Sequence, residues 1–417
     1  MLTLEPALAR GGGSRRRGGA DKLAIALAGG GPLGAFYEIG ALHALGEAII
    51  GRALTDFDVY VGVSSGALVA AGLANGFDTT TLGSTFIHDE STVIPFAPAT
   101  LMRPALAEYR RRIRLVPEVL SGIIRLYSRD PLRGAWPGAA DALGTLIPGA
   151  LFDNGRLERY LHATFSTEGR TDDFRKLARR LYVVATNLNT GESVSFGTPR
   201  HDRVPISRAV VASAALPGLY PPVSIEGHEY VDGALVHTMH ASLAHEAGCR
   251  LVICINPLVP FDASRASRAS GGERIDLASR GLPAVLGQTF RALIHSRMQA
   301  GMASYRARFP FADTLLLEPD RHDEKFFLAN VFRYTGRRQL TAHAYQRTRA
   351  DLLAQAGRLA PILRRHGLEL DMHRLRDRER TFSTSAKERR SDGRYVARKL
   401  GGALERLEHL LAGFSGE

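Results

Sequence analysis

Residues 62–66 read Gly62-Val63-Ser64-Ser65-Gly66 and follow directly on the run Asp58-Val59-Tyr60-Val61. The helix-forming stretch Ala67-Leu68-Val69-Ala70-Ala71-Gly72-Leu73 comes next. A G-x-S-x-G sequence between a strand and a helix confines the chain to a sharp turn with its central residue in a strained backbone conformation. Gly62 and Gly66 leave room for the strand and the helix to cross closely. The central side chain is pushed out of the fold beside the positive end of a helix dipole, and here it is a serine. This suits a nucleophile. Ser65, the next residue, reads as a helix N-terminal position rather than a second nucleophile.

The surrounding pattern predicts an α/β protein. Residues 22–28 read as a buried parallel-type strand, Gly29–Gly34 as a turn, and 35–50 as a helix with apolar residues at Phe36, Ile39, Leu42, Leu45 and Ile49. Strand, turn, helix, strand, turn, helix is the grammar of a parallel sheet. Residues 91–150 break it. They are rich in Pro, Arg and Leu, and Leu106, Tyr109, Ile113, Val116, Leu120 and Ile124 recur at helical spacing around Arg110–Arg112 and Arg114. We expect an inserted basic amphipathic helix pair, packed on the main domain, capping a site, or lying on a membrane. The α/β pattern resumes with strands at 181–186 and 193–196 joined through Asn189-Thr190-Gly191-Glu192, a helix at 205–215, and strands at 229–231, 249–255 and 314–317. The expected organisation is a disordered basic tail over 1–21, a catalytic domain over 22–259, a segment over 260–339 that completes the core or links it, and a basic helical extension over 340–417. Within that extension 374–393 reads as a flexible linker and 394–413 as a helix.

Charge falls outside the segment that holds Ser64. The chain carries a formal net charge of +12, but residues 1–20, 101–135 and 337–399 all have a basic excess, so the rest is net acidic. The appendages therefore suit an anionic surface. Arg110–Arg112 lack the interleaved aromatics that single-stranded nucleic acid requires, and no nucleic acid is expected. Cys249 and Cys254 flank a strand and face opposite sides of it, which makes them core residues with no disulfide between them. No signal peptide or spanning helix is expected. The basic and apolar stretch at 15–28 runs into a glycine turn, and the uncharged window at 59–77 carries the serine turn itself. A cytoplasmic protein, peripheral at a membrane, is the expectation.

An exposed serine hydrolyses an ester only with a base, an oxyanion site and a pocket. Gly29-Gly30-Gly31 at a strand end offers successive backbone N–H groups with no side chains in the way. The same residues, with Gly34, also spell the dinucleotide pattern G-x-G-x-x-G. That reading wants an acid at the end of the second strand, where this chain has the serine turn. For the base, Asp232-Gly233-Ala234 at a strand end offers a carboxylate that can take the proton directly, better with its pKa raised by burial. A triad of Ser64, Asp232 and His237 or His240 is the alternative. Asp153-Asn154-Gly155 reads as a turn and cap before a helix. Asp320, His322, Asp323 and Glu324 read as a solvated loop more readily than as a metal site.

Together, Gly29-Gly30-Gly31-Pro32-Leu33-Gly34, Gly62-Val63-Ser64-Ser65-Gly66 and Asp232-Gly233-Ala234 resemble the motif set of patatin-like phospholipases over about residues 22–250. Ala212-Ser213-Ala214-Ala215-Leu216-Pro217 and Pro221-Pro222-Val223 resemble the stretch before that family's aspartate. The resemblance implies a three-layer α/β/α fold with a mostly parallel central sheet. It implies Ser64 as nucleophile, Asp232 as general base, and the Gly29–Gly31 amides as oxyanion hole. The implied activity is hydrolysis of lipid acyl esters without metal or cofactor. The family usually has Arg or Lys where this chain has Leu33, and often Asn and Pro where it has His237 and Met239.

Overall fold

The run Leu23-Ala24-Ile25-Ala26-Leu27 alternates large with small apolar side chains. Successive residues of a strand point to opposite faces, so such a strand can be buried on both. The computed structural model describes residues 1–8, 21–88, 103–129, 142–236, 239–264, 276–327 and 334–391. In it Leu23, Ile25 and Leu27 join one core cluster, while Ala24, Ala26 and Ala28 join a second on the other face.

Among the described residues, nine strands form the main sheet. They are β1 Leu2–Glu5, β2 Leu23–Leu27, β3 Val59–Val63, β4 Arg180–Asn187 and β5 Ser193–Phe196, then β6 Val223–Ile225, β7 His228–Asp232, β8 Leu251–Ile255 and β9 Asp313–Leu317. Their spatial order is β1-β9-β8-β2-β3-β4-β7-β6, with β5 also paired to β4. The five strands from β9 to β4 run parallel, and the rest pair antiparallel.

Helices cover both faces. The first is packed by α1 Gly31–Ala48, α2 Ser65–Ala74, α4 Gly155–Phe165 and α5 Ile206–Ser213, which follow and precede α3 Leu106–Arg129 in the chain. The second is packed by α6 Ala241–Glu246 and α7 Leu282–Arg308, through Ala241, Ala244, Ile294, Met298 and Met302. The expected α/β/α layering with a mostly parallel central sheet is therefore what the chain forms. Three helices complete it: α8 Tyr334–Ala354, α9 Ala356–Arg365 and α10 Phe382–Ser391.

Three expectations need correction. Residues 2–5 are not a disordered tail but the edge strand β1, antiparallel to β9, with Leu2 and Leu4 buried. Two leucines are too short an alternation to stand out beside a glycine- and arginine-rich stretch. The flexible linker expected at 374–393 is not what its described part, 374–391, forms: α10 occupies 382–391, and a short helix spans Met372–Arg376. The helix expected at 394–413 lies outside the described residues, and the helical spacing from Leu106 to Tyr127, expected to give a helix pair, forms one helix. That helix, α3, runs through Pro117. Pro117 is exposed, on the side where water can take the carbonyl the missing N–H would have bonded.

The C-terminal helices are built into the core. Gly40 of α1 lies against α8 so closely that a Cβ there would sit 2.4 Å from the Thr341 carbonyl oxygen. Beyond it, Arg380 donates to Glu47 Oε1 through Nε at 3.0 Å and Nη2 at 2.7 Å. Ser385 Oγ and Tyr345 OH also donate to the Glu47 carboxylate. Burial would raise this carboxyl, but these bonds outweigh it and hold the pKa at about 2.

Glu38 on α1 is the contrasting case. It is fully buried, and neither carboxyl oxygen has a hydrogen-bond partner among the described residues. Burial raises its pKa well above the usual carboxyl value, which favours the neutral form. Glu38→Met should raise stability by about 1–3 kcal/mol, read as a higher urea midpoint. A lower midpoint would assign the carboxyl a structural task.

Candidate active site

β3 ends at Val63 and turns at once into α2. Ser64 forms the turn with φ 54° and ψ −123°, a region that side chains other than glycine rarely occupy. A serine preceding a helix ordinarily turns its Oγ back onto the first helical N–H groups. Ser64 makes no such bond. Its Oγ donates to Asp232 Oδ2 at 2.6 Å. Its backbone N–H donates to Ser213 Oγ at 2.8 Å, and Ser213 Oγ donates to the Val184 carbonyl at 2.5 Å. Ser213, the last residue of α5, thus ties the strained turn to β4. The sequence showed it only as a polar residue amid alanines.

The register of β4 explains how residues 168 apart meet. Val63 of β3 pairs with Val184, and Asp232 of β7 pairs with the next residue, Ala185. β5 already pairs with Val183–Thr186, and a strand has only two edges. So β3 and β7 share one edge of β4. One runs parallel to β4 and the other antiparallel, and their C-terminal ends meet head-on. A Cβ at Gly233 would sit 2.2 Å from the Val184 carbonyl oxygen, so only glycine lets the chain leave β7 here. The Asp232 N–H donates to the Ala215 carbonyl at 3.0 Å. Its Oδ1 accepts from the Ala234 N–H at 2.8 Å.

Ser64 and Asp232 are 5 % and 3 % exposed. Burial lifts the Asp232 carboxyl to about 6, against the hydrogen bonds from Ser64 and the Ala234 N–H. A carboxylate of that pKa is ionised at pH 7 yet basic enough to share a proton with a hydroxyl.

The glycine turn closes over the pair. A Cβ on Gly29 would lie 3.0 Å from Ser64 Cβ, 3.6 Å from its Oγ, and 3.1 Å from Ala234 Cβ. α1 begins at Gly31, earlier than the periodicity indicates, and its first internal bond joins the Gly34 N–H to the Gly30 carbonyl at 3.0 Å. The N–H groups of Gly29, Gly30 and Gly31 therefore precede the helical ladder, which offers them no acceptor. Pro257, after β8, packs behind Gly30 and Gly34. The Leu33 side chain packs on the core. Gly62 and Gly66 occupy the two sides of the serine turn, each against neighbouring backbone.

Because Ser64 Oγ donates straight to the carboxylate, no imidazole stands between them. His240 is buried just before α6, and His237 lies outside the described residues. His322 pairs with Asp320 at 2.8 Å, Asp320 also pairs with Arg347 at 3.0 Å, and Asp323 pairs with His343 at 2.5 Å. No group of three potential metal ligands occurs among the described residues. Asp153 accepts from the Gly155 N–H at 3.1 Å, the expected turn before α4. Both cysteines are buried and free.

The sequence model of the patatin-like phospholipase family matches residues 25–245, more than half of the chain. The chain belongs to this family. Among solved structures, it is similar to VipD from Legionella pneumophila at 15 % identity and TM-score 0.32, covering 83 % of this chain and 79 % of that one. It is also similar to the type III effector protein ExoU at 16 % identity and TM-score 0.27, covering 82 % of this chain and 66 % of that one. Membership of the patatin-like family supports a lipid hydrolase. The matched segment spans the glycine turn, the serine turn and the aspartate motif, while α7 to α10 lie beyond it.

Proposed function

We propose that this protein hydrolyses acyl esters of phospholipids or other long-chain lipids through Ser64 and Asp232. The supporting observation is the 2.6 Å bond from Ser64 Oγ to Asp232 Oδ2 beside the glycine turn. Ser64 Oγ attacks the ester carbonyl carbon while its proton passes to Asp232. The carbonyl oxygen takes the negative charge and is held by N–H groups of Gly29–Gly31 at the open end of α1. Collapse breaks the bond to the alcohol, which leaves with the proton from Asp232, and Ser64 carries the acyl group. Water then attacks the acyl carbonyl, Asp232 takes its proton, and Ser64 leaves with that proton as the fatty acid departs. The strained backbone at Ser64 holds Oγ off the α2 N-terminus and onto this path.

Labelling with a fluorophosphonate is the direct test. Wild-type protein should form one adduct at Ser64, and Ser64→Ala none. An unlabelled wild-type protein would favour a patatin fold that binds lipid without turning it over.

The pH profile follows from the buried base. Asp232 must be ionised to accept the proton, and its pKa stands near 6. kcat/KM on a soluble ester should therefore be flat above neutrality and fall about tenfold per pH unit below about 6. A profile flat down to pH 4.5 would remove Asp232 as the base.

A further inference from the structure

We infer that the outward face of α3 is a docking surface for an anionic lipid bilayer, which sets the mouth of the Ser64 site against its substrate. This rests on the lipid hydrolase reading above and adds the surface that meets the membrane.

α3 leaves a continuous apolar stripe in solvent. Leu106, Ile113, Leu120 and Ile124 are 54 %, 68 %, 49 % and 66 % exposed. At about 100° per residue, spacings of seven, seven and four place all four within roughly 40° of arc. Such a stripe on a helix otherwise held to the protein needs a partner.

The charge beside it names the partner's sign. Arg110, Arg114 and Arg125 are exposed and follow the stripe along one flank, with Arg111 further round. Glu108 is satisfied by Arg112 at 2.7 Å, leaving Glu118 as the exposed acid among the described side chains of the helix. An apolar stripe flanked by arginines matches the boundary between acyl chains and anionic headgroups, where leucine and isoleucine enter and guanidinium groups stay at the phosphates.

Position ties this face to the site. Arg112 donates to the Thr145 carbonyl at 2.5 Å, and the Ala105 N–H donates to the Leu151 carbonyl at 3.0 Å. Phe152 in turn donates to the Leu219 carbonyl at 2.8 Å. Leu219 follows closely on Ala215, whose carbonyl accepts from the Asp232 N–H. Ile147 and Leu219, 70 % and 36 % exposed, continue the apolar surface along this route.

The test uses full-length Ser64→Ala protein, so that lipid is bound without being consumed. Co-sedimentation is measured with vesicles of phosphatidylcholine alone and of phosphatidylcholine with phosphatidylglycerol. The expected result is preferential binding to the anionic vesicles. Ile113→Ser with Ile124→Ser should weaken it on the order of tenfold or more. Arg110→Gln with Arg114→Gln and Arg125→Gln should weaken anionic binding by a similar factor and leave phosphatidylcholine binding unchanged. All five isoleucine and arginine sites are exposed, and the same substitutions made with Ser64 intact should leave hydrolysis of a soluble short-chain ester unchanged. Unaltered vesicle binding in both sets, or none by the parent, overturns the docking surface. So does concentration-dependent self-association that Ile113→Ser abolishes, which would assign the stripe to a second copy. Loss of soluble ester hydrolysis in wild type would instead sink the hydrolase reading and leave the vesicle result standing.

Discussion

Asp232→Asn is expected to lower kcat for soluble ester hydrolysis by about 10⁴-fold. Asparagine keeps the size of the side chain and can still accept from the Ala234 N–H, so the turn survives while the proton acceptor is lost. Ser64→Ala should cost at least as much, and the double variant little more than either alone, because the pair acts as one unit. Independent losses that multiply would break the two-residue scheme. Stability should move the other way. The folded protein holds the Asp232 proton up to about pH 6, against 3.8 for an ordinary aspartate. Between those values folded protein binds more protons than unfolded, so stability falls as pH rises through the window and stays reduced above it. Asp232→Asn removes that cost and should gain about 1–3 kcal/mol at pH 7.5, read as a higher urea midpoint. A variant both inactive and less stable would show that the turn had been disrupted, and its kinetics would then say nothing about proton transfer.

Arg380→Ala should lower stability by about 3–5 kcal/mol. Arg380 and Glu47 are both nearly inaccessible to water, and Glu47 takes its bonds from Tyr345 of α8 and from Arg380 and Ser385, just before and within α10. Removing the guanidinium leaves a buried carboxylate held only by hydroxyl groups. Glu47→Leu combined with Arg380→Met should recover most of the loss, since it removes both charges together. Equal loss in the double variant would assign the effect to packing. The pH dependence has a definite sign. The folded pKa of Glu47 is depressed to about 2, so its contribution is complete above the ordinary value near 4.5 and drains away as pH falls toward 2. Wild type should lose stability over that range more steeply than the double variant.

Most of the candidate site was legible in the sequence because its parts are backbone features. Close crossings at 62–66, at 29–34 and after Asp232 demand glycine, and glycine at those spacings is visible without a structure. The direct meeting of Ser64 with Asp232 was not forced by the residues alone, which left a histidine-based triad open. It depends on the pairing of β4, a long-range property that local periodicity does not carry. The same limit hid β1 and α10. β1 is four residues long and is a strand only because β9 supplies a partner. α10 is rich in charge and serine, and it is fixed through Phe382, Ser385 and Ala386, all buried. Ser213 went unassigned because its role is to hold a backbone N–H of another segment.

The head-on meeting of β3 and β7 makes β4 a ruler for the site. One added residue between Val184 and Ala185 would part the serine from the carboxylate by about 3.3 Å and turn one of them to the other face. The segment from α2 to β4 is different. It hangs from two points fixed in the sheet, and its length does not enter the distance between Ser64 and Asp232. Selection can therefore rewrite α3 and its surroundings for a new surface while Ser64 and Asp232 stay in place. In this chain, what the enzyme meets and what it does to it can evolve on separate tracks.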